Sequence, residues 1–465
     1  MPTLRNALYI GLSGLRANQQ GLNVTGHNVS NVNTKGYTRQ KIILETNRPI
    51  IVNKGVFGTG VNVNKVARFR DAFIDRQFRD ENQLLGDLEK HSQAMDLIEG
   101  LLNEPSDLGL HNAIKNFFNS LQDLTTNPES SSVRTTVREQ GRALARMFNQ
   151  IWTQLDKIRN NKNFEIIDSV SKVNEILHQV GELNIQIGSS EALGKEANDL
   201  RDKRDLLLDQ LSKLVDMAAN EDPANGSMTV TIAGQGFVVL GEVNQLEAFS
   251  ENVERKEVIK IINQETGSEM KISSGELHGI LDIRDRLIPD IQEQIDLLAI
   301  SFIEEFNQIH RQGYGLKGGR PSPQTGMDFF EGTDAQTIAL SPEISNDPGN
   351  IAASKSGAPG DNSNALELAQ LRNKGVLNNK SFTFEDYFGG LVSTFGLETE
   401  SVESQLANQE KLVEHVDNFR ESIIGVNLDE ELVSMIQFEK AFGANARVIT
   451  TVNDLLGIVV LLGRY

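Results

Sequence analysis

The chain has 465 residues, of which 38% are hydrophobic and 23% charged, with a formal net charge of −19 and no cysteine. That length predicts about two to four domains and the composition excludes a wholly disordered chain. The acidic balance, without any Lys/Arg cluster, excludes nucleic acid as the main partner, and the missing thiols exclude disulfides and thiolate metal sites.

Met1 to Asn28 lacks the continuous apolar core of a secretory signal, and no continuous apolar run of roughly 18 residues occurs, so no membrane span is expected. A protein of this kind acting outside the cell needs another export route. Leu8, Leu12, Leu15 and Leu22 recur at helical spacing and predict an amphipathic first helix. Gly11, Gly14, Gly21 and Gly26 weaken it, each by roughly 0.5–1 kcal/mol relative to Ala, so the helix needs a partner. Asn28, Asn31, Asn33, Thr34, Gly36 and Tyr37 follow, reading as a helix end and a tightly tied turn in which Gly36 adopts a conformation closed to other residues.

Asn127-Pro128-Glu129 marks the start of a helical region from Ser130 to Met217. Within it Ile166, Val173, Val180 and Ile187 form one heptad series and Val170 and Leu177 its companion, which predicts two long antiparallel helices. Trp152 reads as core, and Ser169 with Lys172 matches a hydrolase dipeptide spacing without its companion motifs. Asp199, Asp202, Asp205 and Asp209, interleaved with Arg201, Lys203 and Arg204, read as a salt-bridged solvent face rather than a metal site.

Strand patterning then takes over. Asn225-Gly226 predicts a two-residue hairpin turn, and Met228, Val230 and Ile232 alternate with Thr229 and Thr231. Phe237 to Leu240 and Val258 to Ile262, with turns at Gly234-Gln235-Gly236 and Thr266-Gly267, extend this into a small β-rich insertion. Helix resumes from Gly279 to Ile309, followed by a Gly/Pro-rich stretch at Gly313 to Gly326 and a turn-rich one at Ser341 to Asn364. At the far end Leu428, Met435, Phe442, Ile449 and Leu456 recur every seven residues, with Leu432, Ala446 and Val460 as a second series. Ala441, Ala444 and Ala446 are small enough to admit another helix, so the two chain ends are expected to pair as a coiled coil.

No constellation for catalysis is present. The histidines at 27, 91, 111, 178, 278, 310 and 415 show no metal-ligand spacing, and there is no zinc-protease helix, P-loop or nucleophile elbow. The expectation is a protein that is not an enzyme and needs no cofactor.

The Asn-rich helix end followed by Thr-x-Gly-aromatic, carried here by Asn28, Asn31, Asn33, Thr34, Gly36 and Tyr37, resembles the bacterial flagellar axial proteins, the rod, hook and junction subunits. Val29 and Ser30 depart from the usual rod and hook form, and Gly36-Tyr37-Thr38-Arg39-Gln40 is similar to the junction members. Asn198 to Leu206, Gly275-Glu276-Leu277 with Arg284-Asp285, Val426 to Leu432 and Asn445 to Ile449 resemble the same members. The resemblance implies a mainly α fold with inserted β and a nested order. Segments 1–35 and 428–465 form an inner coiled coil, 36–215, 276–312 and 363–427 a helical middle domain with some β, and 216–275 with 313–362 an outer β-rich and turn-rich insertion. Leu8, Leu12, Leu15, Leu22, the Asn-rich turn, Leu428, Leu432, Met435, Phe442, Ala446, Ile449 and Leu456 are the implied assembly residues.

The function implied is mechanical, joining hook to filament, with a rod or hook subunit as the near alternative and a flagellum-borne wall hydrolase as the distant one. The implied partners are further copies in a helical polymer, the hook subunit, a second junction protein or the filament, and an export chaperone at the C-terminus. Neither nucleic acid nor membrane is expected. The implied location is the bacterial flagellum, reached by secretion through its own export apparatus.

Overall fold

The computed structural model describes residues 2–52, 55–102, 109–192, 196–223, 225–253, 256–316 and 326–462. The class is mainly α with inserted β. Helix α1 (Pro2–Ser30) is followed by two nested antiparallel hairpins, with β1 (Gln40–Thr46) paired to β4 (Val61–Arg68) and β2 (Ile50–Val52) paired to β3 (Gly55–Phe57). The sequence expectation of some β within 36–215 did not locate these strands, although Val61, Val63 and Val66 alternate with polar residues apart from a bulge between Ile43 and Leu44 on the partner strand. Helices α2 (Ala72–Leu102), α3 (Leu110–Thr126), α4 (Ser131–Glu191) and α5 (Asn198–Leu214) come next. The start of α4 falls at Ser130, whose Oγ accepts the Val133 N–H at 3.4 Å, shortly after the Pro128 signal.

Strands β5 (Met217–Glu221), β6 (Met228–Ile232), β7 (Gln235–Val239) and β8 (Glu242–Val243) form an antiparallel sheet in chain order, and β9 (Leu246–Val253) pairs with β10 (Lys256–Asn263). Then come α6 (Glu276–Asp282), a π-helical turn at Ile283–Leu287, α7 (Ile288–His310), the short pair β11 (Phe330–Glu331) and β12 (Ala339–Leu340), α8 (Pro342–Asn346), α9 (Ser363–Gln370), α10 (Phe384–Ile424) and α11 (Leu428–Leu462). Contacts divide the chain into two units, one of residues 1–86, 169–275 and 409–465, the other of 87–168 and 276–408, so α2, α4 and α10 each contribute to both.

The second unit is built on phenylalanine. Phe117, Phe148, Phe302, Phe306, Phe329, Phe330 and Phe384 are fully buried, and the Phe302 and Phe384 ring centroids lie 4.6 Å apart. Trp152 is buried at its edge, as expected of a core residue. His91 and His278 meet carboxylates, Asp282 at 2.8 Å and Asp87 at 2.8 Å. Burial opposes ionisation of Asp282, but bonds from Arg286 and His91 outweigh it and pull its pKa down to about 2.

His310, at the end of α7, is fully buried, with Nδ1 2.8 Å from the Met327 carbonyl and Nε2 accepting the Ala352 N–H at 2.9 Å. That pairing requires a neutral ring, and burial lowers its pKa to about 4. The folded value lies below the unfolded one, so His310 contributes nothing against unfolding above about pH 6.5 and progressively destabilises the fold as pH falls from there toward 4. Histidine-labelled NMR is expected to show the His310 ring resisting protonation to about pH 4. Titration of the His310 ring near 6.5 would contradict the buried pairing.

The heptad stripe of α4 is buried, and toward its C-terminal end it meets strands as well as α5, which runs back antiparallel with Arg201 2.7 Å from Glu191 and Arg204 3.0 Å from Asn184. Asn184 brackets Met228, donating to its carbonyl at 2.8 Å and accepting its N–H at 3.0 Å, and Asn174 does the same to Leu246 at 2.8 Å each way. A heptad period records which face of a helix is covered, not what covers it. The two-residue hairpin turns also sit elsewhere than expected. Glu221 pairs with Met228, so Asn225-Gly226 belongs to a longer connection, whereas Ala233-Gly234 and Leu240-Gly241 take the double positive-φ conformation, with φ of 47° and 77°, then 53° and 95°.

Leu240 therefore carries backbone strain while 70% exposed. Leu240→Asn is expected to stabilise the chain by about 1 kcal/mol, read as a higher urea midpoint at unchanged m-value. No change would mean that the Leu240 side chain compensates the strain through contacts.

Candidate assembly interface

Helices α1 and α11 pack antiparallel, and glycines set their distance. A Cβ on Gly11 would lie 3.0 Å from Ile449, one on Gly14 2.7 Å from the Asn445 amide, and one on Gly21 2.6 Å from the Phe438 ring. One heptad further, Asn28 bonds to Glu431 at 2.9 Å. Each step of seven along α1 thus meets a step of seven back along α11. Three of the four glycines that weaken α1 in isolation, Gly11, Gly14 and Gly21, are the notches that receive α11 side chains, whereas Gly26 faces open space.

This places the predicted residues unevenly. Leu8, Leu12, Leu15 and Leu22 flank the seam half-buried, while Gly11, Gly21, Thr25 and Asn28 are buried in α1. On α11, Met435, Phe442, Ala446, Ile449 and Leu456 are half-buried, whereas Leu428 and Leu432 are exposed. The second heptad position of the seam is held by Glu431, Phe438, Asn445 and Val452, not by Leu432, Ala446 and Val460. An apolar series alone does not reveal this, because two of the four members are polar. Exposed Leu432, Ile436, Leu455 and Ile458 leave α11 apolar on its outer side. The C-terminal helical stretch contains an 18-residue window of mean hydropathy 1.4, only 6% buried, which by length and composition is apolar enough to cross a membrane. The sequence reading missed it because Asn453 and Asp454 interrupt any continuous run.

The turn after α1 is tied as its composition predicts. Asn28 uses its full bonding capacity, with Nδ2 donating to the Gln40 carbonyl and to Glu431, and Oδ1 accepting from the Tyr37 hydroxyl at 2.7 Å and the Gln40 N–H at 3.0 Å. The single phenolic proton goes to Asn28, so the 3.1 Å contact between Tyr37 and His27 is donated by His27 Nδ1. Burial, with the charges of Asp199, Asp202 and Glu431, pushes the Tyr37 pKa above its ordinary range and keeps the phenol protonated. Asn31 donates to the His27 carbonyl and accepts from Thr34, and Gly36 has φ of 80°. Asn33 and Thr34 are exposed at the tip of this turn.

Arg39 joins the turn to α11, with Nε 2.7 Å from Glu431 and Nη1 2.7 Å from Glu430. Gln40 reaches Asp199 at 2.9 Å, and the Thr38 N–H donates to Asp202 at 3.0 Å. Helix α5 is therefore not a solvent face. Asp202, Arg204 and Asp205 are buried; Arg68 binds Asp202 at 2.7 Å and Asp205 at 2.8 Å, Arg70 reaches Asp205 at 3.0 Å, and Arg79 and Arg420 each reach Asp209 at 2.7 Å. Charge alternation is common to a solvated face and a buried ion network, and the arginines that bury this one come from distant segments. Burial opposes the ionisation of Asp205, yet Arg70, Arg68 and Arg79 hold it well below the usual carboxylate range. Asp202, with Arg68 as its one close guanidinium, is left raised by burial. Among the described residues no group of histidines and carboxylates could hold a metal ion.

The family model described as "Flagellar hook-associated protein FlgK helical domain" matches residues 95–330, and flagellar basal body rod models match residues 8–38 and 422–460. The chain is 34% identical to flagellar hook-associated protein 1 of Bacillus subtilis (strain 168) over 96% of both chains. The chain belongs to the flagellar hook-associated protein 1 family. Relatives of the same name from Salmonella typhimurium and Escherichia coli K12 are 26% and 25% identical, the first covering 96% of this chain and 97% of the relative, the second 97% and 98%. The solved flagellar hook junction protein FlgK from Burkholderia pseudomallei shares the fold, with a TM-score of 0.64 and 16% identity over 75% of this chain and all of that one. The rod-type matches fall on the two helices of the seam, α1 and α11, and the FlgK match begins in α2 and spans both units.

Proposed function

We propose that the chain is a structural subunit of the bacterial flagellum at the junction between hook and filament, where filament assembly depends on it. The similarity over nearly the whole of both chains to relatives named hook-associated protein 1 carries this reading. The paired terminal helices support it, since the exposed apolar face of α11 suits burial against further copies. In this reading residues 1–35 and 428–465 form the inner layer of a helical polymer, and 216–275 with 313–362 face outward. The hook subunit lies on one side and a second junction protein or the filament on the other. The chain leaves the cell through the flagellum's own export apparatus, with a chaperone covering α11 until assembly. Its role is mechanical, without catalysis or cofactor.

Deletion of the gene is expected to leave complete hooks without filaments and to release flagellin into the medium, seen by electron microscopy and immunoblot. Truncated or absent hooks would assign the chain to the rod or hook instead, the reading that the rod-type matches at both ends favour.

A further inference from the structure

The seam between α1 and α11 repeats every seven residues on both sides, which raises the question of what selects one alignment. Gly14 and Gly21 face Asn445 and Phe438. Sliding α11 by one heptad in one direction would set Gly14 against Val452, Gly21 against Asn445 and Asn28 against Phe438. Sliding it the other way would set Ala7 against Asn445, Gly14 against Phe438 and Gly21 against Glu431. In either case the glycine notches accept the new side chains, and the flanking series of Met435, Phe442, Ile449 and Leu456 maps onto itself.

Only one pair cannot be exchanged. Asn28 is 1% exposed and Glu431 3% exposed, and each satisfies the other. In the first slip, Asn28 loses a charged acceptor to an aromatic ring. In the second, Glu431 becomes a carboxylate facing a glycine without its donor. The pair is also fixed to the start of β1. Asn28 exchanges two bonds with the Gln40 backbone, Arg39 holds Glu431 and Glu430, and the Arg39 N–H donates to the Ile424 carbonyl at 2.8 Å, just before α11 begins.

We propose that Asn28 and Glu431, braced by Arg39, are the register key of the terminal helix pair, choosing one alignment from a heptad-degenerate set. A one-heptad slip translates α11 by about 10 Å along α1, so the key sets how far each helix projects past the other. It is a positioning device that rests on the geometry of this chain alone, independently of the proposed place in the flagellum. A buried polar pair of this kind specifies alignment because each wrong register leaves its members unpaired.

The natural sequence has no cysteine, so introduced pairs report alignment directly. Gly14→Cys with Asn445→Cys reads the register found here, Gly14→Cys with Val452→Cys reads one slip, and Gly14→Cys with Phe438→Cys reads the other. In the full-length chain under mild oxidation, the first pair is expected to give the dominant intrachain cross-link, exceeding the others by about tenfold or more. In the Asn28→Leu/Glu431→Leu background a slipped cross-link is expected to rise to within about twofold of the first. A slipped yield unchanged from the parent overturns the proposal, as does a parent in which the first pair does not dominate. The relocated key, Gly21→Asn/Asn28→Gly, provides a second reading even if the apolar variant does not fold. It is expected to shift the dominant cross-link from 14–445 to 14–438, and retention of 14–445 dominance overturns the proposal.

Discussion

Asp205→Asn is expected to cost roughly 3–5 kcal/mol of unfolding free energy, more than any other single carboxylate of α5. Asp205 is buried and accepts Arg68 at 2.8 Å and Arg70 at 3.0 Å, with Arg79 at 3.5 Å. Removing its charge leaves guanidiniums that are themselves 10%, 13% and 9% exposed facing one another without a counterion at the centre. Lys203, exposed on the same helix, is the internal control, and Lys203→Ala is expected to change stability by no more than about 0.5 kcal/mol. Urea denaturation followed by circular dichroism measures both. A cost below about 1 kcal/mol for Asp205→Asn would mean that water screens the cluster. The direction with pH is fixed too. Because the folded carboxyl titrates well below its usual range, its stabilisation is fully present above about pH 4 and is lost progressively as pH falls from there through the lower folded value.

The second large effect lies in the backbone. Gly275 has φ of 86°, and a Cβ there would fall 2.5 Å from the Val215 nitrogen and 2.7 Å from the Leu214 carbonyl carbon and Val215 Cα. These are main-chain atoms that cannot rotate aside. Gly275→Ala therefore combines left-handed strain of about 1–2 kcal/mol with overpacking of about 1–3 kcal/mol. Gly267, with φ of 66° and open space around it, separates the two contributions. Gly267→Ala is expected to cost only the strain, about 1 kcal/mol. Equal losses at the two positions would show that the close approach of the α5 end to Gly275 relaxes without cost.

What the sequence carried, and what it did not, follows from the range of each signal. The pairing of the chain ends was legible because an apolar heptad stripe on α11 and a glycine-weakened α1 each demand a partner. The Asn-rich turn was legible too, since Asn28, Asn31 and Gly36 act within a few residues of one another. The seam register was not, because Glu431 and Asn445 are polar and drop out of any hydrophobic count. The buried character of α5 depends on Arg68, Arg70, Arg79 and Arg420, up to 211 residues away from the aspartates they bind, and no local window contains both. The hairpin turns were misassigned because Ala233 and Leu240 occupy a conformation that their side chains disfavour, so the usual Asn-Gly signal pointed to the wrong dipeptide.

The hydrogen bond between Asn28 and Glu431 spans 403 positions of sequence. A ribosome releases α1 first and α11 last, so the first helix spends almost the whole of synthesis without the surface that completes it. Local contacts in the phenylalanine core and the sheets can form as their segments emerge, whereas closing the seam waits for the final helix and ties together a loop of nearly the entire chain. The seam between the ends is therefore the last part that can become native, and a process that takes hold of the chain at either end meets first the contacts that were made last.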